Sequence, residues 1–352
     1  MEIVNGLPKG ALIHGKLSDY EITGYRSQDG FGILYEAEVV TQGNKKGKNN
    51  DMRVVMREFF MQRCSRRDED GCTVYTPEEL TPTVNSFYKA FVFASNRCAQ
   101  ATTYSGAGVV NVIEVVNQNG TSYYVVEYLE GETLEDYINA HGPLTVHEAI
   151  SIFKPILEGV RHLHLFQMMH ADIYPRHIRF TKSGGRMIAV LFSLYASKHF
   201  DDSGNPVITT PILVCRKGYS PPEQYNVVEN FMPQLDIYAL AAVLVFVLSG
   251  KNLPDSRVLT EKDIRATLPA TLPETLVSTL IHALQPEYRN RPINISSFMD
   301  ELMEYFEIND RYSPIDERKH SLHSKKESEA YRKNESHNLL TSLISLFRKE
   351  KK

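Results

Sequence analysis

The chain has 352 residues, 42% hydrophobic and 23% charged, enough to bury a full core as one large or two medium domains. A formal net charge of -4, with no motif interleaving Arg or Lys with aromatics, argues against a nucleic-acid binder. The four cysteines (Cys64, Cys72, Cys98, Cys215) form no C-x-x-C pair, which argues against a zinc site and against a disulfide framework.

In chain order, Met1-Glu2-Ile3-Val4 has no basic n-region and no apolar h-region, so it does not read as a signal peptide; the unpaired cysteines suit reduced thiols in a cytoplasm, the expected location. Residues 1–18 read as a lead. Gly32 to Val40 and Met52 to Arg57 are β-branched runs predicted as strands, with the polar, lysine-rich Thr41 to Asp51 as a solvated hairpin loop between them. A helix is predicted around Ser86 to Ala101. Val109 to Val116 and Ser122 to Tyr128 give two more strands, joined by a turn at Asn119-Gly120.

From Thr133 the period becomes helical. Thr145-x-x-Glu148 is a capping box, opening a helix with Ala149, Ile150, Phe153, Leu157 and Val160 on its apolar face and Pro155 as a bend. Further helices are predicted at 235–249, 273–284 and 293–306. The apolar run Ile237 to Leu248 is too short to span a bilayer and suits a buried core helix. The fold class is therefore α+β, a small β-rich lobe over residues 19–129 and a larger helical lobe over 130–308, with a cleft between them. Residues 309–336 are charged and polar and read as a flexible linker. Residues 337–352 put Leu339, Leu340, Leu343, Ile344, Leu346 and Phe347 on one side of a short helix that ends in basic residues. It suits docking on the lobe or on a partner, or reversible contact with an anionic membrane surface.

Several strings, in order, carry a resemblance. They are Val125-Val126-Glu127-Tyr128-Leu129-Glu130-Gly131, His170-Ala171-Asp172-Ile173-Tyr174-Pro175, Gly218-Tyr219-Ser220-Pro221-Pro222-Glu223-Gln224-Tyr225, Asp236-Ile237-Tyr238 and Arg291-Pro292. Over roughly residues 18–308 the chain resembles the bacterial eukaryotic-like (Hanks-type) Ser/Thr protein kinases. The resemblance implies a two-lobed fold, ATP as a candidate ligand of the cleft, and phosphoryl transfer that rests on positioning and charge neutralisation.

Matched to that family, the glycine-rich loop is Ser27-Gln28-Asp29-Gly30-Phe31-Gly32, which keeps only Gly32 of the three motif glycines. Asp29 would bring negative charge towards phosphates. Leu34, Val55 and Glu127 take the other nucleotide-side positions, and Val55 would crowd the adenine side. Arg57 takes the place of the phosphate-binding lysine, although its planar fork does not substitute for a compact ammonium. Ala94 stands where the helix glutamate would orient that lysine. His177 and Leu191 take the places of the two metal ligands; leucine ligates nothing and imidazole is a poor ligand for magnesium. No magnesium is expected, and no other metal site.

Asp172 occupies the catalytic-base position. It reads either as a general base or as a structural hydrogen-bond acceptor, and Tyr174 in place of a lysine favours the second. The resemblance gives His170 and Phe192 a place in the stack linking the lobes, Asp236 a tie to the catalytic loop, and Glu223 with Arg291 a buried ion pair. The expectation is a catalytically impaired pseudokinase that scaffolds or allosterically regulates a protein partner. The alternative is a weakly active Ser/Thr kinase or an atypical ATP-dependent transferase that uses Asp172.

Overall fold

The computed structural model describes residues 5–40, 52–103, 108–183, 186–203, 205, 207, 214–226 and 232–312. The loop at Thr41 to Asp51, the linker from residue 313 and the basic segment at 337–352 lie outside the described residues.

Alternating β-branched and aromatic residues draw the first third into one antiparallel sheet. Its chain begins with β1 (Leu12–His14), β2 (Asp19–Asp29), β3 (Gly32–Val40) and β4 (Arg53–Phe59). A small pair follows, β5 (Arg66–Arg67) and β6 (Val74–Tyr75), and then helix α1 (Thr81–Thr103). Strands β7 (Val112–Gln118) and β8 (Thr121–Glu127) complete it, in the spatial order β1-β2-β3-β4-β8-β7. Asn119 and Gly120 both take positive φ, 56° and 69°, the geometry of a tight hairpin turn.

Two boundaries differ from the periodicity. The lead belongs to the small lobe, because β1 pairs with β2 while Leu7 and Ile13 are fully buried. Strand β7 starts at Val112, since Val110 leaves the sheet line and donates its N–H to the Leu191 carbonyl at 2.8 Å.

The sheet is covered on both faces. Val55, Phe59, Tyr124 and Val126 pack with Phe91 of α1 on the cleft side. Leu7, Ile13, Tyr35, Met56, Phe60 and Tyr123 form a separate core on the other side, beneath the β5–β6 excursion. Glu58 is fully buried there. Its carboxylate accepts from Arg67 at 2.5 and 2.8 Å, from Tyr35 at 2.6 Å and from Tyr123 at 3.0 Å. Arg67 also donates to the carbonyls of Asn5 and Cys72, tying lead and excursion to the sheet.

The larger lobe begins with α2 (Leu134–His141), capped by Thr133, and α3 (Val146–Leu165), on which Thr145 and Glu148 close a reciprocal capping box. Pro155 lies inside α3 without ending it. Its carbonyl sits so close to Gly108 that a Cβ there would come within 1.7 Å, so only glycine lets the chain pass. Short strands β9 (Met168–Met169), β10 (Ile178–Ser183), β11 (Arg186–Leu191) and β12 (Lys198–His199) follow, β10 pairing with β11 and β9 with β12. Helix α4 (Gln234–Ser249) is buried from Leu235 to Leu248, an interior helix. Helices α5 (Glu261–Thr267), α6 (Glu274–Ala283) and α7 (Ile295–Tyr312) complete the lobe, and α7 runs past residue 308. No described helix is long and apolar enough to cross a membrane.

Removing one partner of a buried ion pair leaves an uncompensated charge, which typically costs about 3–5 kcal/mol. Arg67→Met should therefore lower the unfolding free energy by about 3 kcal/mol in urea denaturation, the two tyrosine hydroxyls softening the loss. A loss below about 1 kcal/mol would show that Glu58 is held without Arg67.

Candidate functional site

A cleft of about 320 Å³ opens between β2–β4 and β8 on one side and His177, Arg179 and Phe192 to Tyr195 on the other. Leu34, Val55, Val126 and Leu129 give it apolar walls. Val55 borders this space without filling it. Glu127, at the rear, accepts from the Asn111 N–H at 3.0 Å, and burial pushes its carboxyl above the ordinary range.

The polar end of the cleft is occupied by the protein itself. Strand registers place Asp29 opposite Gly32, and Leu34 opposite Arg57, so Arg57 lies beneath the β2–β3 turn. There its guanidinium donates to the Asp29 carboxylate at 2.7 Å and sits 4.8 Å over the Tyr195 ring. A Cβ on Gly32 would come within 2.9 Å of that guanidinium, so this glycine gives Arg57 its room. Gly30 stays exposed at the turn and does not line the cleft. Ala94, on α1, borders Leu194 and Tyr195 and offers no carboxylate to Arg57.

Asp172 is held from several sides. Arg216 donates Nε to one carboxylate oxygen and a terminal nitrogen to the other, both at 2.9 Å. The Tyr195 hydroxyl donates to the second oxygen at 3.0 Å. Arg216 also lies 4.4 Å over the ring of Tyr174. Burial pushes the Asp172 carboxyl up, but the Arg216 hydrogen bonds and neighbouring positive charge bring it below the usual carboxylate range.

His177 is buried, and its Nδ1 pairs with the Asp172 carbonyl at 2.8 Å. Burial, against the attraction of Asp172, depresses its pKa from 6.5 to about 4. The imidazole is thus neutral near pH 7, so the counter-charge for Asp172 comes from Arg216. Leu191 is fully buried among apolar neighbours, its carbonyl bound to Val110. Among the described residues no group of three or more His, Cys, Asp or Glu side chains could hold a metal ion.

Phe192 differs from the expected lobe-linking stack. Its carbonyl pairs with His170 Nε2 at 3.0 Å, but its ring lines the cleft, 5.6 Å from the His177 ring and 5.5 Å from the Arg179 guanidinium. Ser193, in the left-handed region at φ 76°, sets that turn. The side chains of Leu194 and Tyr195 then border α1.

Behind the cleft, Asp236 is fully buried and accepts from the His170 N–H at 2.8 Å and the Ala171 N–H at 2.9 Å, fixing Ala171 at φ 62°. Its third partner is His164 at 2.9 Å. Arg291 meets Glu223 in a two-pronged pair at 2.6 and 2.8 Å and donates to the Gln285 and Pro286 carbonyls.

Sequence reasoning missed Arg216, Tyr195, Arg26 and Arg179. Arg216 lies two residues before the recognisable string that opens at Gly218, and nothing one-dimensional puts it beside residue 172. Arg26 and Arg179 line the cleft from facing walls; both stand in strands that mix polar and apolar residues, so no one-dimensional signal singles them out.

A base whose folded pKa is depressed contributes its stability above the unfolded value and loses it as pH falls towards the folded one. For His177 that window runs from pH 6.5 down to about 4. Across it the wild type should lose about 3 kcal/mol more unfolding free energy than His177→Asn, at 1.36 kcal/mol per unit. Parallel stability profiles for the two proteins would contradict the assignment.

Comparison with known proteins agrees with this architecture. Residues 98–323 match the family model described as protein kinase domain. The chain is 29% identical over 167 residues to serine/threonine-protein kinase PrkC of Bacillus subtilis, covering 47% of this chain and 24% of that protein. It is 27% identical over 167 residues to serine/threonine-protein kinase PknB of Mycolicibacterium smegmatis, covering 47% and 26%. The chain therefore spans about a quarter of the length of these curated relatives. A solved structure described as "PpkA-294 apo form" shares the fold, with a TM-score of 0.60 at 21% identity over 85% of this chain and 99% of that one. With the family match spanning more than half its length, the chain belongs to the protein kinase domain family.

Proposed function

We propose that this chain is a kinase-fold signalling protein that acts by binding a protein partner, as scaffold or allosteric regulator, rather than by metal-dependent phosphoryl transfer. The observation that carries this reading is the two-pronged engagement of Asp172 by Arg216, with Tyr195 on the same carboxylate. A general base needs a free lone pair within reach of the proton it takes. Here the carboxylate side chain is fully buried, and Arg216 and Tyr195 place three hydrogen bonds on its two oxygens, which holds it away from an incoming hydroxyl.

The donor set also fits magnesium poorly. A small hard cation wants oxygen ligands in near-octahedral array. Leu191 supplies no donor atom, and His177 offers a buried imidazole tied to a carbonyl. Arg57, at the position the family gives to its phosphate-binding lysine, is already paired with Asp29. Losing one transition-state contact typically costs about 3–4 kcal/mol, a factor of 10²–10³ in rate. Such losses need not add, yet several in one cleft argue against useful turnover. PrkC and PknB are named as kinases, and their activity is not carried over to a cleft with these substitutions.

Labelled γ-phosphate transfer from ATP, with magnesium and a mixed protein substrate, should stay at background and be equal for wild type and Asp172→Asn. Transfer about tenfold above background that vanishes in Asp172→Asn would favour a working enzyme.

A further inference from the structure

Two guanidinium groups face the cleft from opposite walls. Arg179, on β10, donates to the Gly131 carbonyl at 2.6 Å and sits over the Phe192 ring. Among the described residues no carboxylate hydrogen-bonds it. Arg26, on β2, pairs through Nε with Glu36 at 3.0 Å and lies 4.8 Å over the Tyr128 ring. Both line the same cleft. Burial, and then the like charge of Arg26, hold Arg179 below the ordinary guanidinium range. The molecule thus keeps two like charges lining one slot, Arg26 paired with Glu36 and Arg179 with no carboxylate hydrogen-bonded to it among the described residues.

Leu34, Val55, Leu129 and the ring of Phe192 give the slot apolar walls; of the two carboxylates that also line it, Asp29 is paired with Arg57 and Glu127 is held by the Asn111 N–H. Guanidinium planes both stack on rings and fork onto planar anions. At about 320 Å³ the space is near the lower end of small-ligand pockets, roughly 300–1,000 Å³. It has room for a ring system and one charged group. A tripolyphosphate would have to displace the Arg57–Asp29 pair.

We propose that the cleft takes a planar organic anion, an aromatic ring bearing one carboxylate or one phosphate, clasped between Arg26 and Arg179 without a divalent cation. An anion placed there neutralises both guanidinium groups and bridges the lobes, since Arg26 comes from the small lobe and Arg179 from the large one. The metal-free part of the proposal rests on the reading of His177 and Leu191 given above; the anion preference does not.

Isothermal titration of the full chain in EDTA tests it, with naphthalene-2-carboxylate and adenosine monophosphate as probes and 2-naphthamide and adenosine as their uncharged counterparts. At least one anion should bind about tenfold or more tighter than its counterpart, and the order of the two anions tells carboxylate from phosphate. Arg179→Leu and Arg26→Gln should each weaken that binding about tenfold, whereas Arg53→Gln, which touches Tyr128 but does not line the cleft, should not. Should Arg179→Leu fail to fold, Arg26→Gln carries the comparison. Equal binding of charged and uncharged probes, no binding of either anion, or unchanged affinity in the arginine variants overturns the proposal and leaves the loss of phosphoryl transfer intact. Binding that requires magnesium overturns both.

Discussion

A carboxylate taken out of water must find a counter-charge, and at Asp172 that requirement organises the cleft. His177 is too deeply buried to be charged near neutral pH, so Arg216 fills the role. Arg216 is borne by the segment that leads into Gly218, and its grip holds that segment against the loop at His170 to Pro175. Gln224 reinforces the link by donating to the carbonyls of Ala171 and Val214, both at 2.7 Å. Tyr174 and Tyr195 pack on or bond to the same guanidinium. One ion pair thus fixes the loop, the segment and the turn after Phe192 together.

The same logic runs through the rest of the cleft. At three further positions a side chain is likewise engaged by its neighbours. Arg57 satisfies Asp29, Leu191 completes an apolar core, and the Phe192 ring covers part of the floor beside Arg179. The residues that hold the lobe upright are built as strong pairs: Asp236 on two backbone N–H groups, Arg291 on Glu223. The polar end of the cleft is self-contained, and the slot lined by the two arginines is the rest of it.

Much of this was legible in one dimension. Short β-branched runs gave four of the sheet strands, the Thr145–Glu148 spacing gave the start of α3, and the all-apolar Ile237 to Leu248 gave the interior helix. The ordered strings pointed to the kinase fold that the family match shows. What stayed hidden depends on side-chain pairing across long separations. Asp29 and Arg57 were each read against an absent phosphate, and only strand register shows that they neutralise one another. Leu12-Ile13-His14 is too short to announce a strand, yet Ile13 buries because β2 lies beside it. The direction of the Phe192 ring follows from the backbone at Ser193, which no residue pattern encodes.

The central claim is that Asp172 is a structural ion-pair partner rather than a base. A double-mutant cycle on unfolding free energy, using Asp172→Asn, Arg216→Gln and the double variant, addresses it directly. The account predicts a coupling of about 2–3 kcal/mol between the two sites, as expected for charged groups that share a buried contact. A coupling below about 0.5 kcal/mol, the level of independent sites, would contradict it and return Asp172 to the role of a free carboxylate.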